Sequence, residues 1–155
     1  MGATENKAMV VEFFRRGMTS DAGAELLASG FRAWLPKGLA PLLTAGQENF
    51  EGAAGLKEME TVDEAVYRDG AVNSRVVYIA ADGDWVVLCF DVTATTHDGD
   101  DYANRYVFSV RCQDGKIAEM WEMTDTKHWM DVVAGTPEKL TAICARLRDG
   151  RAAVK

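Results

Sequence analysis

The sequence predicts an α+β fold in which helices pack on one face of an antiparallel sheet. Two observations lead to this prediction. Apolar residues recur at helical spacing in the first half of the chain, whereas apolar and polar residues alternate in the second half, where Asp-Gly pairs separate the runs. Helices segregated from consecutive strands are typical of α+β domains. A sheet that curves around such helices leaves an open end where a pocket forms.

Size and charge narrow the possible functions. The chain has 155 residues, a hydrophobic fraction of 48% and a formal net charge of −7. These values fit one soluble globular domain over residues 1–155, with a helical extension over residues 136–155. The acidic balance predicts no nucleic-acid partner and no membrane partner. No stretch reaches the roughly 18 apolar residues of a membrane helix, and no secretory signal is visible.

In the first half, apolar spacing predicts an amphipathic helix over Thr4–Met18 and a second short helix closed by Gly30. A short strand follows over Phe31–Leu35. Residues 36–52 are expected to form an apolar loop that either packs under the domain or serves as a lid. A third helix is expected from Ala53 to about Tyr67, after which an Asp-Gly pair ends it.

In the second half, β-branched and aromatic runs predict strands over Arg75–Ala81 and Trp85–Thr95. The stretch Tyr102–Asp125 is typical of a long hairpin, which gives an antiparallel meander of about four strands. Asp125 is expected to cap the turn that follows. A Pro at the first turn and a Gly beyond the end predict a terminal helix over Pro137–Arg148.

Two segments carry a resemblance to a known family. The opening VVEFFRRGMTSDAGAELLASGF and the hairpin NRYVFSVRCQDGKIAEMWEMTDT, in this element order, resemble the SnoaL-like branch of the NTF2-like superfamily. That branch includes limonene-1,2-epoxide hydrolase, polyketide cyclases and, more distantly, ketosteroid isomerase. The resemblance covers roughly residues 6–133 and implies an NTF2-like cone, a curved antiparallel sheet wrapped around the N-terminal helices, here with an extra C-terminal helix. Because this fold carries many reactions, the resemblance implies the fold more strongly than the chemistry.

The resemblance also implies a pair of catalytic acids. The carboxylates of the epoxide hydrolase match Asp91, in VLCFDVTA, and Glu122, in MWEMTD. The Arg expected two residues before the first acid is replaced by Cys89, so the water-activating set is incomplete. If Asp91 and Glu122 meet on the concave face, their repulsion leaves one protonated and one ionised, which supplies an acid and a base together. If either points outward or is held in a surface ion pair, the hypothesis of an enzyme built on this pair loses its basis.

Other side chains are expected to line the same cavity and to orient a bound molecule. The alternative for each of them is ordinary core packing. The candidate substrate-binding residues are Tyr102, Asn104, Tyr106, Phe108, Trp34 and Met120. Residues of the opposite parity predict an apolar outer sheet face and a homodimer packed through it. The predicted members of that face are Trp121, Met123, Val107, Ile117 and Phe90.

No metal site and no cofactor are expected. The chain has only two His, and Cys89, Cys112 and Cys144 are not clustered, which gives no zinc pattern. An odd number of widely spaced cysteines favours reduced thiols and a cytoplasmic location. Asp98 and its acidic neighbours lack the spacing of a calcium loop, and there is no phosphate loop or dinucleotide fingerprint.

We therefore expect a cofactor-independent acid/base enzyme of hydrolase, dehydratase or isomerase type that acts on a small apolar oxygenated molecule. Retention of both Asp91 and Glu122 favours this hypothesis. The alternative is a non-catalytic ligand-binding or dimeric interaction module of the same fold. The replacement at Cys89 favours that alternative.

Overall fold

The computed structural model describes residues 2–43, 47 and 49–153. Its helices are α1 (Ala3–Arg16), α2 (Asp21–Ala24), α3 (Ala40–Leu43), α4 (Gly52–Val66), α5 (Thr126–Val133) and α6 (Pro137–Ala153). Its strands are β1 (Leu27–Trp34), β2 (Phe50–Glu51), β3 (Tyr67–Asp82), β4 (Trp85–Thr96), β5 (Asp101–Gln113) and β6 (Lys116–Thr124). The predicted α+β fold is confirmed.

The strands form one curved, unclosed six-stranded sheet in the order β2-β1-β6-β5-β4-β3. All neighbouring pairs are antiparallel except β1 and β6, which are parallel. Strands β3 to β6 are the predicted meander. Strand β1 contains most of the short strand predicted over Phe31–Leu35, and β1 and β2 extend the meander along the β6 edge. A single apolar core lies between the concave face and the helices, with Phe13, Phe31, Phe50 and Val110 fully buried.

Three boundaries differ from the prediction because tertiary pairing overrides local propensity. The second helix ends at Ala24 instead of running towards Gly30, since Leu27 pairs with Ile117 and the Ile117 amide donates to the Leu26 carbonyl at 2.8 Å. The Asp69-Gly70 pair does not form a turn after the third predicted helix. It lies inside β3 at positive φ angles of 58° and 62°, where the register shifts.

The third difference is the segment between Asp125 and Gly135, which forms α5. Asp125 caps this helix, because its carboxylate accepts the His128 amide at 3.0 Å, as expected. Within the described part of the apolar segment 36–52, Leu39 and Leu43 are buried and line the cavity described below. Residues 44–46 and 48 of that predicted loop lie outside the described residues.

The hairpin register decides which side chains face inward. Phe108 pairs with Glu122 and Val110 with Met120, so the even-numbered residues of β5 and β6 occupy the concave face. The register shifts after Arg111, which brings Ile117 opposite Cys112 and into the core. Ile117 and Phe90 were predicted on the outer face; this is wrong, because Ile117 is fully buried in the core and Phe90 lines the cavity.

The C-terminal helix α6 packs along α4. Ile143 and Leu147 are buried there, and the Arg146 guanidinium donates to the Ala65 carbonyl at 3.2 Å. Helix α6 therefore covers one side of α4, and the opposite side of α4 faces the sheet. In the part of the chain that the structure describes, no helix is both long enough and apolar enough to cross a membrane.

Two helical glycines are expected to respond oppositely to substitution by Ala. A Cβ at Gly55 would lie 2.8 Å from the Phe50 carbonyl carbon, whereas a Cβ at Gly150 would lie 3.7 Å from Thr61. Gly55→Ala is therefore expected to destabilise the protein by about 1–3 kcal/mol. Gly150→Ala is expected to stabilise it by about 0.5–1 kcal/mol through lower chain entropy. Urea denaturation measures both, and a stabilised Gly55→Ala variant would contradict the close contact.

Candidate active site

A cavity of about 450 Å³ lies between the concave face of the sheet and helices α1, α4 and α5. Most of its wall is apolar. Phe14 and Phe108 stack at 5.5 Å between ring centroids, and Phe90 lies 5.2 Å from Phe108. Trp129 of α5 closes another side. The size and the apolar lining are those of a site for a small organic molecule.

Glu122 of β6 projects into this cavity. Its orientation follows from the β5–β6 register, which places it opposite the inward-facing Phe108. Burial, and secondarily the negative charge of Asp63, raise the pKa of Glu122 to about 8. A carboxyl group that titrates near neutral pH can donate or accept a proton under physiological conditions.

The second acid in the cavity is Asp63 of α4, which the sequence analysis missed. Burial raises the pKa of Asp63 to about 7, and the charge of Glu60 adds to the effect. Water can reach both acids, because Asp63 is exposed and Glu122 is half-buried. Many protein atoms nevertheless lie around each carboxyl group and disfavour its charged form. The site therefore holds two acids with raised pKa on one apolar cavity, an arrangement suited to coupled proton transfer.

Asp91 does not join them. It pairs with Arg105 on the neighbouring strand, on the convex side of the sheet. Its carboxylate accepts hydrogen bonds from Arg105 at 2.7 Å and Arg75 at 2.8 Å, and these guanidinium groups lower the pKa of Asp91. The prediction that Asp91 and Glu122 share one cavity is wrong, because Asp91 is held in a surface ion-pair cluster.

The predicted substrate-binding residues divide into two groups. Tyr106 and Phe108 line the cavity. Tyr102 is buried behind them, and its hydroxyl lies 2.8 Å from that of Tyr106. Asn104 donates to the Tyr102 hydroxyl at 2.9 Å and to the Asp125 carbonyl at 3.0 Å. Burial raises the pKa of Tyr67, Tyr102 and Tyr106, so these hydroxyl groups remain protonated donors.

Trp34 and Met120 lie elsewhere. Trp34 stacks on Trp121 with 4.0 Å between ring centroids, beside the outer face, and does not contribute to the cavity wall. Met120 is buried in the core next to the cavity but does not line it. Both were predicted as cavity residues. Trp34 is excluded because it pairs with the outward-facing Trp121, and Met120 because it pairs with Val110 in the buried core.

Neither His belongs to a metal-binding cluster. The His97 imidazole lies 2.9 Å from the Glu64 carbonyl, and the His128 ring stacks on Tyr102. Among the described residues, no group of three or more His, Cys, Asp or Glu side chains is arranged to hold a metal ion.

Comparisons with known proteins agree with this geometry. The family described as "SnoaL-like domain" matches residues 5–120. A search of curated proteins finds no match.

Among solved structures, one described as a SnoaL-like polyketide cyclase from Jannaschia is 20% identical, with a TM-score of 0.70 over 87% of this chain and 95% of that one. TerC, co-crystallised with polyporic acid, is 19% identical, with a TM-score of 0.72 over 84% and 98% of the two chains. An NTF2-like protein of unknown function from Burkholderia pseudomallei is 16% identical, with a TM-score of 0.71 over 83% and 97%.

At these identities the solved structures support the fold alone. The family match is broader evidence, since it covers well over half of the chain and includes most of α1 and all of α4, β3, β4 and β5; Glu122 lies just beyond its end. The chain therefore belongs to the SnoaL-like domain family of the NTF2-like superfamily.

Proposed function

We propose that this protein is a cofactor-independent acid/base enzyme that acts on a small, mostly apolar, oxygenated molecule. The observation that carries this proposal is the presence of Asp63 and Glu122, both with raised pKa, on one apolar cavity. Between pH 7 and 8 the pair holds about one proton, so one carboxylate can remove a proton while the other carboxyl group donates one. Hydration, dehydration and isomerisation all need these two transfers.

The tyrosine hydroxyl groups can orient the bound molecule through hydrogen bonds. Because Asn104 donates to the Tyr102 oxygen, Tyr102 can donate to Tyr106. Tyr67 belongs to the same hydroxyl cluster, so Tyr106 can donate to Tyr67, and the hydroxyl hydrogen of Tyr67 then remains for a carbonyl or hydroxyl oxygen of the bound molecule. The Asn104 amide is itself fixed, since its oxygen accepts the Arg105 backbone amide at 2.8 Å. This chain of donors would hold a substrate oxygen at the tyrosine cluster, close to the cavity acids. Burial, and to a smaller extent the charges of those acids, raises the pKa values of Tyr67 and Tyr106.

The test is turnover of a panel of small ketones, epoxides and alcohols by the wild type and three variants. Asp63→Asn is expected to lose at least about 100-fold in kcat/KM, because it removes one member of the acid/base pair. Asp91→Asn discriminates the sequence-based pair from the cavity pair and is expected to retain turnover. Asp98→Asn, at an exposed turn, is the matched control. Loss of turnover in Asp91→Asn but not in Asp63→Asn would overturn the assignment, and binding without turnover in the wild type would support a ligand-binding module.

We also propose a homodimer packed through the outer sheet face. An outer patch is formed by Trp34, Tyr78, Val107, Trp121 and Met123. Tyr78, Trp121 and Met123 are 51%, 39% and 50% exposed. Side chains of this size on one sheet face favour burial against a second copy. The free thiols of Cys89, Cys112 and Cys144 support a cytoplasmic location for this assembly.

The double variant Trp121→Glu/Met123→Glu is expected to be monomeric at micromolar concentration, where the wild type is a dimer. Buried charges would remain unpaired in the interface and cost several kcal/mol, which shifts the equilibrium by more than 100-fold. Sedimentation velocity measures the change. Val11→Lys, at an exposed apolar position outside the patch, is the control and is expected to stay dimeric. A monomeric wild type would remove the proposal.

A further inference from the structure

The cavity has an unusual balance of charge. Five of its lining residues carry carboxyl groups, namely Glu60, Asp63, Glu64, Asp69 and Glu122. Among the described residues, its lining contains no Lys, Arg or His. Four of the acids are exposed around the mouth, and Glu122 lies deeper. The electrostatic potential inside is therefore negative, and a negatively charged substrate would be repelled.

The cavity acids also lack counter-charges. Within the described chain, none of the five forms an ion pair within 4.0 Å. Acids elsewhere do: Asp91, Glu12 and Glu119 each bind an Arg side chain. These three acids are neutralised by Arg side chains, whereas the carboxyl groups of the cavity have no protein cation within 4.0 Å among the described residues. A bound molecule can supply that cation.

The rest of the wall is aromatic, which favours the same ligand. The rings that line the cavity belong to Phe14, Tyr67, Phe90, Tyr106, Phe108 and Trp129. The faces of such rings carry negative charge density and attract ammonium groups, most strongly in a site that excludes water. Aromatic faces combined with carboxylates are the chemistry that recognises an alkylated ammonium group. A neutral ligand would contact the rings without the charge attraction that the ionised acids offer to a cation.

We propose that the substrate of this cavity is an organic cation, an apolar molecule that carries a tertiary or quaternary ammonium group. The ammonium group would lie among Asp63, Glu122 and the aromatic rings, and the apolar body would fill the remainder of the cavity. This inference names the substrate class for the proposed enzyme and in that sense rests on the proposed function. It concerns binding, however, so it is tested without turnover.

Binding of a cation is expected to change the protonation of Asp63 and Glu122. Burial holds the pKa of Asp63 near 7, and the charge of Glu60 adds to the effect. Burial, and secondarily the charge of Asp63, holds the pKa of Glu122 near 8. A cation stabilises the ionised forms and lowers both pKa values, so binding at pH 7 releases protons. The other titratable groups around the pair are Glu60, Glu64, Asp69, Tyr67, Tyr102 and Tyr106, with His97 at the Glu64 carbonyl. The affinity for a cation is therefore expected to rise as pH increases from 6.5 to 8.5.

The experiment compares two ligands that differ only in one charged atom. The full-length protein is titrated calorimetrically with (4-hydroxymethylphenyl)trimethylammonium and with its neutral isostere 4-tert-butylbenzyl alcohol. At pH 8.5 the cation is expected to bind at least about 10-fold more tightly than the alcohol. Its affinity should fall about 10-fold at pH 6.5, while that of the alcohol stays constant. Titrations at pH 7 in two buffers of different ionisation enthalpy should detect the released protons.

Variants test whether Asp63 and Glu122 cause the preference for the cation. Asp63→Asn and Glu122→Gln are each expected to weaken the cation by about 5–10-fold without changing the affinity for the alcohol. Glu51→Gln, an exposed residue of β2, is the matched control and should bind both ligands like the wild type. Equal or tighter binding of the alcohol, a pH-independent affinity for the cation, or no cation binding at millimolar concentration would each overturn the proposal. Turnover of a neutral panel member in that case would leave the proposed function standing.

Discussion

Glu122→Gln is expected to lower kcat/KM by about 10²–10⁴-fold while the fold is retained. Glutamine keeps the shape of the side chain and occupies the same inward position opposite Phe108. It cannot exchange a proton at neutral pH, so the acid/base pair with Asp63 is lost. Steady-state kinetics on the substrate found in the panel measures the change. The exposed Glu51→Gln controls for the substitution itself, and wild-type kcat/KM in Glu122→Gln would contradict the proposed chemistry.

The pH dependence of the wild type provides an independent check on the same pair. Activity should rise as pH increases through about 7, where the base becomes ionised, and fall above about 8, where the acid loses its proton. Because the two carboxyl groups interact, the apparent pKa values of the two limbs of the pH profile belong to the pair and not to single residues. Asp63→Asn should remove one limb in addition to lowering the rate. A profile that is flat from pH 6 to 9 would contradict the assignment.

The sequence predicts the fold well because the relevant signals are local. Alternation identifies β4, β5 and β6 to within a residue or two, and helical spacing identifies α1 and α4. The predicted second helix extends too far, because the residues that follow Ala24 form β1 and pair with β6. No local pattern in the sequence reveals that pairing. Strand β3 begins at Tyr67, well before Arg75, because an Asp-Gly pair that usually ends an element is accommodated as an irregularity within the strand.

The candidate site is only half predictable for the same reason. The parity of β4 separates Asp91 from Leu88 and Phe90, but the concave side is fixed by register and curvature. Asp63 has a weak signal, since it follows Met59 by four residues and therefore shares the face of α4 with that apolar residue. An acid beside an apolar stripe is normally solvated. Its significance appears only when the sheet brings Glu122 to the other side of the cavity.

The raised pKa values also predict that this site costs stability. An acid whose pKa is higher in the folded than in the unfolded protein destabilises the fold as pH rises above its unfolded value, and the penalty is complete above the folded pKa. For Glu122 the interval runs from about 4.5 to about 8. Glu122→Gln removes this penalty and is expected to raise the Tm at pH 9 by about 5 °C, a value that allows for partial solvation of the cavity. At pH 3.5, below the unfolded pKa of about 4.5, the difference should vanish.

Asp91 provides the control of opposite sign for this measurement. Its pKa is lowered by Arg105 and Arg75, so its ion pairs stabilise the fold above the unfolded pKa and that contribution is lost as pH falls. Asp91→Asn is therefore expected to lower the Tm at pH 7, with a difference that disappears in acid. Thermal unfolding of both variants from pH 3 to 9 tests the two trends. If Glu122→Gln is the less stable protein at pH 9, the carboxyl group has a stabilising partner and is not free for catalysis.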